Sequence, residues 1–153
     1  MKDIKVWVDA DACPVKDEVY RVAARHETAV ILVSNAYLRL PGLDFVQQVV
    51  VSDGFDAADD HIAENADRAS VVITADILLA ERCLKMGAVV LAPNGKPFTE
   101  NSIGAAIATR AIMADLRAGG AQMGGPAPFA KTDRSRFLSS LDEALVRLQR
   151  LPD

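Results

Sequence analysis

Five short apolar runs constrain the fold of this chain more than any other feature. They are rich in valine and isoleucine and mostly continuous rather than alternating, which is typical of strands covered on both faces. Segments with helical spacing separate most of them. The pattern predicts an α/β fold of three layers with a predominantly parallel five-stranded sheet and right-handed crossovers. The runs are Ile4–Asp9, Ala29–Ser34, Phe45–Val51, Ser70–Thr74 and Ala88–Ala92.

Five segments are predicted to be helices from the spacing of their apolar residues and from their end signals. Pro14 is expected at the first helical position, because its missing N–H would be unpaired there anyway. Asp133 is expected to cap the last helix. The connection 34–45 contains Pro41 and Gly42 and is expected to be a loop. The helices are Pro14–Arg25, Phe55–Ala66, Ile77–Met86, Asn101–Arg117 and Arg134–Leu148.

The composition predicts one domain spanning residues 1–153, with 50% hydrophobic and 25% charged residues. The net charge of -4 gives no broad attraction for nucleic acid, so RNA as a partner would have to meet a local basic patch. Cys13 and Cys83 have no metal-like spacing and are expected to be free thiols. The N-terminus is not expected to be a signal peptide, and no apolar run reaches the roughly 18 residues of a membrane span. We expect a cytoplasmic protein without a membrane partner; the oligomeric state is left open.

Carboxylates occur at three places where predicted strands end or helices begin. Because the carboxyl ends of parallel strands share one edge of the sheet, these side chains are expected to meet there. In the second helix Ile62 must face the core, and Asp59 shares its face, so Asp59 is expected to point toward the sheet. The acids are Asp9 and Asp11 after the first run, Asp56, Asp59 and Asp60 at the second helix, and Asp76 after the fourth run.

Convergence of Asp9, Asp59 and Asp76 would be strongly repulsive, at roughly 4 kcal/mol for a pair about 4 Å apart at an effective dielectric of about 20. Such a cluster requires shared protons or a cation, and oxygen ligands favour Mg²⁺ or Mn²⁺. Such an ion suits phosphodiester hydrolysis. These three residues are the predicted metal ligands, with Asp11 and Asp60 in support as catalytic residues. For each acid alone a structural role stays open, as a helix cap or as a favourable charge in a first turn.

We expect Trp7 and Cys13, which lie near these motifs, to have structural roles. Trp7 is expected in the core, and Cys13 is expected to be buried rather than nucleophilic, because acidic neighbours raise a thiol pKa. A long Gly/Pro-rich loop spans residues 119–133, and loops of this length are usually functional or disordered. The candidate phosphate contacts, for which a solvated or salt-bridged face is equally open, are Arg110 and Arg117 on one helix face and Lys131, Arg134 and Arg136 beside the loop.

Four motifs resemble the YaiI/YqxD family of bacterial proteins, and the resemblance runs nearly end to end. That family in turn resembles PIN-like nucleases, which have a parallel sheet and acids around Mg²⁺ or Mn²⁺. The resemblance implies that Asp9 is the first-strand acid, Asp59 or Asp60 the helix acid, and Thr74 with Asp76 the fourth-strand Thr-x-Asp element that faces substrate and metal. The motifs are Val8-Asp-Ala-Asp-Ala-Cys-Pro-Val15, Gly54-Phe-Asp-Ala-Ala-Asp-Asp60, Val72-Ile-Thr-Ala-Asp76 and Asp133-Arg-Ser-Arg-Phe137.

The chain departs from the PIN pattern at one position. PIN nucleases often carry a further Asp two residues after the fourth-strand acid, where this chain has Leu78. The implied site therefore holds one ion, recruits Asp11 instead, or is inactive.

Three functions follow as hypotheses. The first is a Mg²⁺- or Mn²⁺-dependent nuclease acting on RNA. The second is a haloacid-dehalogenase-like phosphatase with Asp9 as nucleophile and Asp11 as general acid, for which Ser34 ends the second strand. Pro14 leaves no room for the loop that such enzymes insert after these acids. The third is a non-catalytic module that binds RNA or protein.

Overall fold

The computed structural model describes residues 3–52, 54, 56–118 and 129–152, with side chains for all of these except 115–118. Within these ranges the chain forms six strands and five α-helices. The strands are β1 (Lys5–Asp9), β2 (Ala29–Ser34), β3 (Val46–Val50), β4 (Ser70–Ile73), β5 (Val89–Leu91) and β6 (Pro97–Phe98). The helices are α1 (Lys16–Arg25), α2 (Ala57–Asn65), α3 (Ile77–Lys85), α4 (Glu100–Ala118) and α5 (Lys131–Arg150).

The strands form one sheet in the order β3-β2-β1-β4-β5-β6. Strands β1 to β5 are parallel, and β6 runs antiparallel to β5. Strands β1 and β4 lie at the centre of the sheet. Strands β2 and β3 follow β1 toward one edge, and β5 and β6 follow β4 toward the other. The carboxyl ends of β1 and β4 therefore lie side by side where the strand order reverses, and open α/β sheets bind ligands at such a point.

Helices cover both faces of the sheet, which confirms the predicted three-layer α/β architecture. Helices α1 and α5 pack on one face around Val6 and Val8 of β1. Helices α2, α3 and α4 pack on the other face around Trp7. Alternate residues of a strand point to opposite faces, so a strand buried on both faces has to be apolar throughout. This is why the predicted runs are continuous.

The first helix begins at Lys16, so the expectation that Pro14 occupies its first position is wrong. Residues Ala10–Ala12 form a short 3₁₀ helix directly after β1. The earliest α-helical hydrogen bond joins the Val19 N–H to the Val15 carbonyl at 3.0 Å. Pro14 therefore lies in the turn between the two helices.

The last helix is longer than predicted at both ends, and Asp133 lies inside its first turn instead of capping it. The Asp133 carboxylate accepts a hydrogen bond of 2.9 Å from the Ala130 N–H, just before the helix starts. Residues 119–128 of the predicted loop lie outside the described residues, and residues 131–133 belong to α5. The helix begins earlier because Asp133 satisfies a backbone group from within the first turn.

The sixth strand was missed because it contains only two residues. A turn follows β5, with Gly95 in a left-handed conformation. It returns the chain alongside β5, where Pro97 and Phe98 pair with Leu91 and Val90. A two-residue strand carries too little periodicity to be recognised. None of the helices in the described part of the chain is long and apolar enough to cross a membrane.

Candidate functional site at the carboxyl edge

The ends of β1 and β4 are joined by a side-chain hydrogen bond. The Thr74 hydroxyl lies 3.0 Å from Asp9 Oδ2 and also 3.0 Å from the Asp76 N–H. The N–H can only donate, so the hydroxyl accepts from it and directs its own proton to Asp9. Thr74 is buried, and it therefore holds Asp9 in an orientation that favours the ionised carboxylate.

Asp76 begins α3 as a helix cap, one of the roles left open by the sequence. Its Oδ1 accepts hydrogen bonds from the N–H groups of Leu78 at 2.9 Å and Leu79 at 3.2 Å. Its other oxygen makes no hydrogen bond within the described residues. Capping fixes the carboxylate beside Asp9 without using both of its oxygens, so a structural role and a binding role are compatible.

Asp59 extends this group from helix α2. The pKa of Asp59 is raised to about 6, chiefly by burial and also by the negative charges of Asp76, Asp9 and Asp56, against the opposing effect of Arg82. Ile62, on the same face of the helix, is fully buried. The structure therefore brings Asp9, Asp59 and Asp76 within electrostatic range of one another, as expected from the sequence.

The pKa of Asp9 is also raised. Burial is the main cause, the hydrogen bond from Thr74 opposes it, and the charges of Asp76 and Asp11 raise the pKa again. Two neighbouring carboxylates with raised pKa values are a physical sign of a functional site, because folding alone gives no reason to gather like charges. A bound proton or a cation relieves the repulsion equally well.

Asp11 lies next to this group on the exposed side. Its Oδ2 accepts a hydrogen bond of 3.0 Å from the Asn35 N–H, and the Asn35 amide donates to the Ser52 carbonyl at 2.7 Å. The Ser34 hydroxyl donates to the Ala36 carbonyl at 2.6 Å. The phosphatase hypothesis requires Asp11 and Ser34. In the structure the hydrogen bonds of both side chains fix the backbone that follows β2. Asn35 is not among the residues predicted from the sequence, although its place directly after a predicted strand was a usable signal.

Asp60 points away from the other acids. It forms an ion pair of 2.8 Å with Arg82 across the exposed surface between α2 and α3. Asp56, just before α2, adopts a left-handed backbone with φ of 68° and makes no capping hydrogen bond. Of the two candidate helix acids, Asp59 is therefore the one near Asp9.

No three His, Cys, Asp or Glu side chains of the described residues are arranged to hold a metal ion. The oxygen donors present suit Mg²⁺ or Mn²⁺ chemically. Binding would require the carboxylates of Asp9, Asp59 and Asp76 to approach one another more closely. Leu78, where PIN nucleases often have an acid, is exposed.

Trp7, His61 and Cys13 lie close to these acids in the chain and form no hydrogen bond with them within the described residues. His61 packs edge-on against the Trp7 ring, with 5.9 Å between ring centroids. The buried indole N–H of Trp7 has no hydrogen-bond partner in the described residues. Cys13 is buried and free, and burial raises its pKa, so the expectation that it is not an activated thiol agrees with its environment.

The predicted basic residues are dispersed. Arg134 donates to the Pro14 carbonyl at 2.9 Å and pairs with Glu18 at 3.0 Å, which ties α5 to the start of α1. This contact places the start of α5, including the exposed Lys131, at the carboxyl edge. Arg110 is exposed on α4 and has no ion pair within the described residues. The Arg117 side chain lies outside the described residues.

Comparison with known proteins gives a consistent family. The profile described as the uncharacterised YaiI/YqxD family matches residues 7–147. A UPF0178 protein of Sphingopyxis alaskensis is 68% identical over 146 residues, covering 95% of each chain. A UPF0178 protein of Nitrobacter winogradskyi is 55% identical over 150 residues, covering 98% of this chain and 96% of its own. No solved structure matches significantly. On the strength of the profile and these relatives, the chain belongs to the YaiI/YqxD family.

Proposed function

We propose that this protein is a divalent-metal-dependent nuclease that hydrolyses phosphodiester bonds of RNA. The observation that carries the proposal is that Asp9 and Asp76 follow the adjacent strands β1 and β4, where the strand order reverses, with Asp59 within electrostatic range of both. Like charges of this kind are costly unless an ion or protons offset them. The resemblance to PIN-like nucleases supports the same assignment of acids.

Each side chain of the site has a separate role in the proposed reaction. Asp9, Asp59 and Asp76 would supply the oxygen ligands of the ion, and Thr74 orients Asp9 through its hydrogen bond. A Mg²⁺ or Mn²⁺ ion bound there would activate water and stabilise the leaving oxygen. Asp11 and the carboxylate cluster make the edge negative, so a polyanionic substrate is admitted only when cations offset that charge. Lys131 lies at the same edge and is positioned to contact phosphate.

Thermal unfolding with and without Mn²⁺ tests the metal site directly. Free metal at about 100 times its dissociation constant stabilises the native state by about 2.7 kcal/mol, or several degrees for a chain of this size. We expect this shift in the wild type and its loss in Asp9→Asn. Asp44→Asn is the matched control, because Asp44 is exposed just before β3, at the opposite edge of the sheet. A shift that survives in Asp9→Asn would contradict the assignment.

Cleavage of labelled single-stranded RNA tests the reaction itself. We expect Mn²⁺-dependent cleavage by the wild type and by Asp44→Asn, and none by Asp9→Asn. Metal binding without cleavage would favour the non-catalytic alternative. Covalent capture of Asp9 by a phosphate mimic such as BeF₃⁻ would favour the phosphatase instead.

A further inference from the structure

A short segment after β2 displays an aromatic ring and a cation toward solvent. Leu38 and Leu40 pack against the core between the sheet and α1 with α5. Tyr37 and Arg39, which alternate with them, are exposed, and Tyr37 has 85% of its surface accessible. A large aromatic side chain that is this exposed contributes almost no hydrophobic stabilisation to the fold. Its position therefore suggests a role in binding.

The segment is held firmly on both sides of Tyr37. On one side, the Asn35 N–H donates to Asp11 and the Ser34 hydroxyl donates to the Ala36 carbonyl. On the other side, the Leu38 backbone exchanges two hydrogen bonds with the Gln48 side chain, at 3.0 and 3.1 Å. A ring on a fixed backbone loses little conformational freedom when it binds a ligand.

The segment also adjoins the acidic edge. Two residues span at most about 7 Å, so the Tyr37 backbone lies within that distance of Asn35, whose N–H contacts Asp11. Tyr37 is therefore within reach of a strand bound at the acidic cluster. Arg39 forms no ion pair within the described residues, so its guanidinium is available to a phosphate.

We propose that Tyr37 stacks an unpaired nucleobase of the RNA substrate and that Arg39 contacts the neighbouring phosphate, which makes the protein selective for single strands. Aromatic stacking next to cationic side chains is how proteins hold single strands without reading sequence. A duplex keeps its bases stacked on one another and offers none to Tyr37. The proposal rests on the proposed nuclease function for the position of the strand, but its test measures binding alone.

The experiment compares the affinities of wild type, Tyr37→Ala and Tyr37→Phe for short fluorescent RNA oligonucleotides with a cleavage-resistant phosphorothioate backbone by anisotropy, in EDTA and in Mn²⁺. The probes are a single strand, its duplex and a strand with abasic positions. We expect Tyr37→Ala to weaken single-strand binding by about 5- to 150-fold and Tyr37→Phe to bind like the wild type. Met86→Ala is the matched control, because it removes another exposed apolar side chain at the far end of α3.

The abasic probe separates stacking from a general structural effect. It is expected to bind wild type and Tyr37→Ala equally, because it offers no base. Equal single-strand affinity of wild type and Tyr37→Ala, or no binding of RNA at all, would overturn the proposal, and the latter would favour a protein partner. Single-strand binding that depends on Tyr37 without cleavage would support the stacking role while contradicting the nuclease reaction.

Discussion

The Thr74 hydroxyl donates a 3.0 Å hydrogen bond to Asp9 Oδ2, although the two residues are 65 positions apart in the chain. The bond joins the carboxyl ends of β1 and β4, which lie where the strand order of the sheet reverses. It also connects Asp9 to the start of α3, since the same hydroxyl accepts from the Asp76 N–H. The buried Thr74 side chain thus orients the Asp9 carboxylate and holds the backbone of Asp76.

Replacing Thr74 by valine is expected to raise the pKa of Asp9 further and to destabilise the protein by about 1–3 kcal/mol. The variant keeps the shape of the side chain but leaves Asp9 without its donor and the Asp76 N–H without its acceptor. The free energy of unfolding in urea and the NMR titration of the Asp9 carboxyl measure the two effects. Thr74→Ser retains the hydroxyl and should resemble the wild type; an unchanged Asp9 titration in Thr74→Val would contradict the orienting role.

The stability of the metal-free protein should depend on pH through Asp59. Its pKa rises from 3.8 to about 6 on folding, so the folded state favours the neutral carboxyl. The resulting stabilisation is complete below pH 3.8 and is lost as the pH rises through about 6. The free energy of unfolding of the wild type relative to Asp59→Asn, measured in EDTA, should therefore fall over this range.

Mn²⁺ should reverse the direction of this pH dependence. Metal ligands must be deprotonated, so the stabilisation by Mn²⁺ is expected to grow as the pH rises through about 6. Melting temperatures with and without Mn²⁺ across this range measure the change. A metal-dependent shift that is equally large at pH 4 would show that Asp59 is not a ligand.

Gly95 and Gly42 should respond very differently to substitution by alanine. Both have positive φ, but a Cβ at Gly95 would lie 2.6 Å from backbone atoms of Arg136 and Phe137, whereas nothing lies within 4 Å at Gly42. Gly42→Ala should cost only backbone strain, about 1–2 kcal/mol. Gly95→Ala should cost about 2–5 kcal/mol, because α5 must also shift. Urea denaturation of the two variants compares them; equal losses would show that α5 is not held closely against this turn.

Local patterns allowed most of the fold to be predicted. Continuous Val- and Ile-rich runs identified five strands, and helical spacing identified five helices, because burial on both faces of a sheet and on one face of a helix leaves a periodic signal. Apart from the missed two-residue strand β6, the errors fell at the ends of elements, as at Pro14 and Asp133. Whether a residue begins a helix depends on individual hydrogen bonds, such as that from Val19 to Val15, which composition does not reveal.

The site was predictable only in part. Asp9 and Asp76 follow strands, so their place at the carboxyl edge follows from the parallel sheet. Asp60 and Arg134 were equally good candidates in the sequence, yet Asp60 pairs with Arg82, and Arg134 holds Pro14 and Glu18. These pairings join residues far apart in the chain, and no local pattern identifies them.

The sequence by itself determined the layers of this protein and the edge at which its acids gather, because hydrophobic periodicity and the position of charges relative to strand ends are local properties. The tertiary structure decided which acids face one another. Only the strand order places β1 beside β4, and only that juxtaposition lets Thr74 reach Asp9. The same packing directs Asp59 toward the cluster and leaves Tyr37 exposed, because both depend on what lies across the sheet rather than along the chain.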